Sequence, residues 1–460
     1  MLIYYWYILN RMNIAYVYED NPLTERKIED ATIGLESACK KILRSISRKN
    51  AAIIADYIIS MQTETNPSNH YKKDTIKLLC KFSQSYDDKP FEQISRQEVI
   101  EFLDRLRKPE TVDPLHKWIG TYNLYRIYLL RFFKWLYYPD VEPNKRKKPP
   151  VVDNIPQLKR KEQSHYKPSD LWSQEDDLLF LKYCPSKRMK CYHSMSRDTG
   201  CRPHELLKLR IKDIVFKNSG IRQYAEVLLT GKTGSRNIPL IDSLPYIKDY
   251  LDHEHPQPTN FNAPLFAGTK KSIGRQISVT HLHAIYDDYK KTLYPKMLQN
   301  ANSVPDKDKE RIRELLRKPW NPYIRRHSAL TEKSVFLKEH VLRQHAGWSP
   351  RSQMHLKYLH YFGNESSDSI LEAYGIITKD KVQSDILRSK QCPNCNEPNK
   401  PDSKFCAKCR MVLTYDAYNE TLELEQNKEK KIDELIRRQE RFETFIQALI
   451  DSGQLKPLNE

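Results

Sequence analysis

The chain has 460 residues, 39% hydrophobic and 30% charged, and carries a net charge of +18 from 77 Lys and Arg against 59 Asp and Glu. That length predicts two or three domains with linkers, and the apolar share suffices for packed cores. No run reaches the roughly 18–20 apolar residues that a membrane-spanning helix needs, whereas a balance this basic suits a polyanionic partner, nucleic acid foremost.

Residues 1–23 read as an N-terminal extension. Their opening, "MLIYYWYILN", is aromatic and lacks a basic n-region, so a signal peptide is not expected; Met12 is an alternative start. From 24 to 143 the chain reads as a helical domain, because "IGLESACKKILRSI", "NAAIIADYIISMQ", "YKKDTIKLLCKFSQSY", "SRQEVIEFLDRLR" and "YNLYRIYLLRFFKWLYY" repeat apolar residues at three-to-four spacing. Ser95, three residues ahead of Glu98, has the pattern of a capping box. In the last segment Leu129, Phe132, Phe133 and Leu136 form an apolar face. Arg126, Arg131 and Lys134 are interleaved with it, as a solvated face or as a helix lying along phosphates.

Residues 144–168 are proline-rich and carry two basic clusters, Lys145, Arg146, Lys147, Lys148 and Lys159, Arg160, Lys161. They read as an extended linker whose cations contact a DNA backbone, each neutralised phosphate releasing condensed counterions. Residues 169–376 form a second domain. Helices open it, then "AEVLLT" and "SRNIPLI" make a strand pair joined by "GKTG", and more helices follow. The fold class is therefore mainly α with a small β-sheet. The few glycines, 12 in all, agree with a helical chain.

Residues 388–414 hold Cys392-x2-Cys395 and Cys406-x2-Cys409, two knuckles able to present four thiolates tetrahedrally, as a structural zinc ribbon does. A module this small folds on the free energy of metal binding, and no ligand position stays open for catalysis. The remaining five of the nine cysteines (Cys39, Cys80, Cys184, Cys191, Cys201) are scattered and read as buried thiols of a reducing cytoplasm. From 418 to 452, Ile432, Leu435, Phe442, Ile446 and Leu449 fall close to a heptad seam, which predicts a coiled-coil or docking helix.

Four stretches of the second domain carry chemistry when taken together. "DTGCRPHELLKL" places Arg202 ahead of an amphipathic helix, where a guanidinium suits a phosphate or pairs with Glu205. "LLTGKTGSRNIPL" places Lys232 at a hairpin tip. "NPYIRRHSALTEK" sets Arg325, Arg326 and His327 at a helix entry, and "RQHAGWSPRSQMHLKYLHY" contains Trp348 and Tyr358. Two arginines, a lysine and a tyrosine are an inventory for phosphodiester chemistry. The arginines neutralise non-bridging oxygens, the lysine protonates the leaving hydroxyl, and the phenol attacks to give a phosphotyrosine, with no metal or nucleotide required.

The order "TGCRPHELLKL", "GKTGSRNIPL", "RRHSALTEK", "HAGW…Y" resembles the tyrosine recombinase (phage-integrase) family, in particular its archaeal integrase-like members, over about residues 24–375. The resemblance implies a helical core-binding domain, a catalytic domain at 169–376, and a tetramer acting on paired sites of double-stranded DNA. It assigns catalytic roles to Arg202, Lys232, Arg326, Trp348 and Tyr358, with the Trp348 indole N–H donating to the scissile phosphate. It departs from the family three residues before Arg326, where the usual histidine is Tyr323. Either Tyr323 stands in poorly, or His327, His345, His355 or His360 supplies the base, or the enzyme is slow or inactive; Tyr361 is a rival to Tyr358. The implied function is site-specific recombination or integration in the cytoplasm, associated with the nucleoid. The alternatives are an inactive DNA-binding regulator or a type IB topoisomerase-like activity. The zinc ribbon and the last helix lie beyond the resemblance.

Overall fold

The computed structural model describes residues 22–160, 166–220, 222–231, 233–269, 272–299, 304–359, 374 and 386–452. Lys161, Lys232, His360 and Tyr361 lie outside these residues, as does nearly all of the N-terminal extension. The chain divides into two compact units, Met1–His165 and Tyr166–Glu460.

The first unit is helical: α1 (Pro22–Ala31), α2 (Ser37–Leu43), α3 (Arg48–Glu64), α4 (Asn69–Gln84), α5 (Arg96–Asp104) and α6 (Trp118–Tyr137). Serines start three of them, since a short hydroxyl side chain satisfies a backbone N–H that the first turn leaves unpaired. Ser47 caps α3, Ser68 caps α4, and Ser95 caps α5 in the expected capping box with Glu98. The apolar face of α6 (Leu129, Phe132, Phe133, Leu136) is buried. Phe132 meets Phe91 and Phe133 edge-on at ring distances of 4.9 and 5.2 Å. Truncating a fully enclosed ring such as Phe132 costs about 3–5 kcal/mol, through lost transfer energy and the cavity left behind.

The interleaved cations of α6 are engaged within the unit. Arg126 donates to the Ile155 carbonyl and Arg131 to the Tyr71 hydroxyl, each at 2.7 Å. Half of the expected linker belongs to this unit as well. Val151, Val152 and Ile155 are buried in its core, Asn123 holds the Leu158 backbone through both of its amide atoms, and Arg160 donates to the Leu115 carbonyl at 2.6 Å. Proline content pointed to an extended spacer, but the three aliphatic side chains between the prolines had a core to enter.

The second unit runs α7 (Gln174–Tyr183), α8 (Lys187–Thr199) and α9 (Pro203–Leu207), then strands β1 (Ile214–Asn218), β2 (Gln223–Gly231) and β3 (Gly234–Leu240). Next come α10 (Leu244–His253), α11 (Val279–Asp288), α12 (Tyr294–Gln299), α13 (Asp306–Arg317), α14 (Pro322–Phe336), α15 (Glu339–Ala346) and α16 (Met354–Leu359). Two-residue strands β4 (Lys390–Gln391) and β5 (Pro398–Asn399) and the long α17 (Tyr415–Asp451) close the unit. The sheet is antiparallel in the order β1-β2-β3, with Val227 opposite both Ile214 and Ile238. Along β2, Ala225, Val227 and Leu229 face the core; along β3, Arg236 takes the same inward phase as Ile238 and Leu240.

The four-cysteine segment packs onto this unit. Lys248 pairs with Glu397 at 2.5 Å and Lys400 pairs with Asp249, and Leu387 fills a small apolar cluster with Leu181 and Tyr246. Helix α17 is exposed along most of its length. Among the described residues, no helix is long and apolar enough to cross a membrane. The five scattered cysteines are buried and unpaired, and burial pushes the Cys80 thiol up to about 12 and those of Cys184 and Cys201 up to about 11.

Candidate active site

Helix α14 sets two consecutive arginines in the core of the second unit. Asn321 caps it by accepting from the Tyr323 and Ile324 backbone N–H groups, and Pro322 opens its first turn. Neighbouring residues on a helix point about 100° apart. Arg325 therefore turns one way, to a buried ion pair with Asp177 at 2.7 Å, and Arg326 turns another.

Arg326 is nearly enclosed, and its hydrogen bonds go to two carbonyls: Gly200 at 2.6 Å and Ala346 at 2.9 Å. Gly200 caps the end of α8 and Gly347 caps the end of α15, both in the left-handed conformation, with φ of 54° and 64°. Each helix so ended leaves carbonyls unpaired at its negative pole, and both aim one at this guanidinium. At Gly200 a Cβ would lie 2.8 Å from Leu330 Cδ2, so packing requires glycine as well as the backbone angle. Among the described residues Arg326 has no carboxylate within ion-pair distance. Burial draws its guanidinium below the usual arginine range; Tyr358 opposes that, and Arg202 reinforces it.

Trp348 lies against Arg326, the guanidinium 5.9 Å from the ring centre, and stacks on Tyr358 at 5.2 Å. Tyr358 is 1% exposed, and its hydroxyl lies 3.2 Å from His327 Nδ1. The two rings are nearly parallel, 5.7 Å apart, while Tyr166 packs near the same imidazole at 5.1 Å.

Arg202 stands at the edge of this group, its side chain 30% exposed, with Nη1 3.0 Å from Glu205 Oε1. Both readings offered for it meet in this geometry, because the pair with Glu205 leaves part of the guanidinium accessible. Glu205 is itself buried and bonded at 2.8 Å to Arg236, whose Nε donates to the His345 carbonyl at 2.9 Å. Burial pushes the Glu205 carboxyl up, but the two arginines outweigh it and hold it below the usual range. Sequence reasoning missed Arg236, although a signal was present: a cation in the inward phase of an alternating strand needs a buried anion.

The other histidines are placed differently. His345 is lowered to about 3, by burial and then by the charges of Lys333, Arg236 and Arg326. His355 is buried and occupied by Glu339 and Arg343, at 2.9 and 3.1 Å. Tyr323 is 39% exposed with its ring beside His283, at 6.2 Å.

The basic residues of 145–160 divide. Lys147, Lys148 and Lys159 are exposed, and Lys145 pairs with exposed Glu142 at 3.0 Å. Arg146, expected as a DNA contact, is instead buried: it forks onto Glu64 and donates to the Tyr138 and Pro139 carbonyls. Drawing this guanidinium out of its buried bidentate pair would leave Glu64 uncompensated, a cost that a surface phosphate does not offset. Arg160 is half-buried on its carbonyl.

The four clustered cysteines converge, their sulfurs all within 4.8 Å of one another. The Cys392–Cys409 and Cys395–Cys406 sulfurs are 3.5 and 3.6 Å apart, close to the edge of a tetrahedron around a zinc with bonds of about 2.3 Å. The knuckles turn through Asn396 and Arg410, both at positive φ, and buried Asn399 donates to Cys406 Sγ at 3.7 Å. This donor set fits a structural zinc.

No protein-family model matches the chain, and no curated protein matches its sequence. Solved structures similar to it include the XerH site-specific recombinase bound to palindromic difH substrate, at 16% identity and a TM-score of 0.48, covering 76% of this chain and 95% of that one. The Tn1549 transposon integrase with transposon right end DNA follows at 15% and 0.46, covering 70% and 99%. A lambda integrase dimer bound to a core site stands at 13% and 0.44, covering 67% and 95%. At such identities and scores the likeness assigns nothing to this chain.

Proposed function

We propose that this protein is a site-specific DNA recombinase or integrase that cuts and rejoins strands through a covalent 3′-phosphotyrosine. The observation that carries the reading is the convergence of Arg326, Trp348 and Tyr358, with Arg202 from 124 positions earlier in the chain alongside, around a buried guanidinium whose hydrogen bonds among the described residues go to carbonyls. A cation in that position has its positive charge unspent and is suited to the phosphoryl oxygens that gain negative charge in the transition state.

In the proposed reaction the Tyr358 oxygen attacks phosphorus and the bond from phosphorus to the 5′ oxygen breaks. Lys232 gives a proton to that oxygen. Arg202 and Arg326 bind the non-bridging oxygens, and Trp348, whose indole N–H has no partner among the described residues, donates to one of them. A 5′ hydroxyl from a partner strand then reverses the step, so no external energy source is needed. Exposed Lys147, Lys148 and Lys159 supply sequence-independent backbone contacts. The ribbon holds one structural zinc on Cys392, Cys395, Cys406 and Cys409. Helix α17 joins subunits through Ile432, Leu435, Phe442, Ile446 and Leu449 in a homo-oligomer on paired sites, within a cytoplasm that keeps the thiols reduced.

The test is covalent capture. Protein expressed with cellular or plasmid DNA is denatured, and the attached DNA is sequenced. Wild type is expected to carry an adduct at one recurring site, and Tyr358→Phe none. Binding without any adduct would support an inactive regulator instead, a reading favoured by Tyr323 in place of the usual histidine. Adducts spread without sequence preference, with relaxation of any supercoiled plasmid, would support a topoisomerase.

A further inference from the structure

The phenol of Tyr358 must lose a proton as it attacks, and the position from which the resemblance would draw the acceptor holds Tyr323, turned outward beside His283. We infer that His327 is the catalytic proton acceptor, an assignment that rests on the recombinase reading. Its Nδ1 lies 3.2 Å from the Tyr358 hydroxyl, within the reach a general base needs before any movement. The near-parallel stacking on Tyr358, with Tyr166 packed near the imidazole, limits how the ring can turn. His327 is itself only half-buried, which leaves the accepted proton a route to solvent.

Two other histidines that the sequence offered for this role, His345 and His355, do not compete. His345 is held neutral at about 3 and is too weak a base. His355 is tied to Glu339 and Arg343. His327 follows Arg326 on α14, so one helix carries both the phosphate-binding cation and the base, and the 3.2 Å contact with the Tyr358 hydroxyl places the base.

The Tyr358 oxygen forms a bond to phosphorus and its proton passes to His327 Nδ1. The bond from phosphorus to the 5′ oxygen breaks, and that oxygen takes a proton from Lys232. On rejoining, the 5′ hydroxyl oxygen bonds to phosphorus and its proton passes back to Lys232, while the bond from phosphorus to the Tyr358 oxygen breaks and the protonated imidazole returns its proton to the departing phenolate.

Full-length protein is tested on duplex carrying the captured site, with either an ordinary linkage or a 5′-bridging sulfur at the scissile position. Sulfur leaves without a proton, so it relieves the loss of an acid but not of a base. His327→Asn keeps a polar atom near Nδ1 but has no useful basicity. It is expected to bind DNA normally and form the adduct about 100-fold or more slowly on both substrates, whereas Lys232→Ala recovers on sulfur. His327→Ala, read with and without added imidazole, is expected to regain adduct formation when imidazole is present. Asn at the wild-type rate, or a defect that sulfur erases, overturns the assignment while leaving the recombinase reading intact. Wild type that forms no adduct on either substrate overturns both.

Discussion

Arg325 and Arg326 are adjacent in sequence, both buried, and opposite in use. Arg325 enters a closed group with Asp177, His193 and Arg197, in which Asp177 bonds Arg325 at 2.7 Å and His193 at 2.9 Å while Tyr286 bonds the far side of that imidazole at 3.1 Å. Burial pushes the Asp177 carboxyl up, but Arg325 and the His193 bond outweigh it and keep it ionised. Arg326 enters a group with carbonyls, an indole and a phenol, where among the described residues nothing negative answers its charge at ion-pair distance. A buried cation with its own carboxylate holds a fold together. One without is electrostatically incomplete, and in the proposed reaction a phosphate completes it.

The largest effect is expected from breaking the closed group. Asp177→Ala leaves Arg325 buried and uncompensated and should cost about 3–5 kcal/mol in denaturant unfolding; an unchanged midpoint would erase the distinction between the two arginines. Arg326→Lys comes next. It should slow adduct formation about 10²–10³-fold, by analogy with removing one transition-state donor, while stability moves by no more than about 1 kcal/mol. If the two variants exchanged these signatures, Arg326 would be the structural member.

Gly347→Ala sharpens the second group. The new Cβ would lie 2.6 Å from Arg236 Nη1 at a φ of 64°, so a loss of about 1–2 kcal/mol is expected in thermal melts, with slower adduct formation as Arg236 is displaced from Glu205. Normal behaviour would detach Arg236 from the site.

The smallest effect is a pH slope. His193 is lowered from 6.5 to about 4, chiefly by burial and then by Arg325, against the pull of Asp177. The unfolded chain therefore binds a proton between these values that the folded chain refuses, and stability falls as pH drops through 6.5 toward 4. Melts at pH 7.5 and 5.5 should show this decline, and His193→Gln should flatten it. A wild-type protein equally stable at both would mean His193 is not enclosed as described.

Much of the architecture was legible because local rules sufficed. The capping box at Ser95 and Glu98, the apolar face of α6, the β2–β3 hairpin and the four-cysteine spacing are each set by residues within a few positions of one another. Strand β1 escaped notice because only Ile214 faces the core while Val215 and Phe216 are exposed, which leaves no alternation to read. The 144–168 segment was legible only in part, because proline content describes chain stiffness and is silent about whether Val151, Val152 and Ile155 find a core.

The amino-acid order by itself determined the chemical inventory: helical periodicity, thiolates at metal-binding spacing, and guanidinium, indole and phenol groups in recombinase-like order. Only the tertiary structure decided which guanidinium keeps its charge available. Arg146 met Glu64, Arg325 met Asp177, and Arg326 met the carbonyl ends of two helices. The physical reason is that a side chain's charge is written in the sequence, whereas its compensation depends on partners brought from as far as 148 residues away and on the burial that makes their presence or absence count.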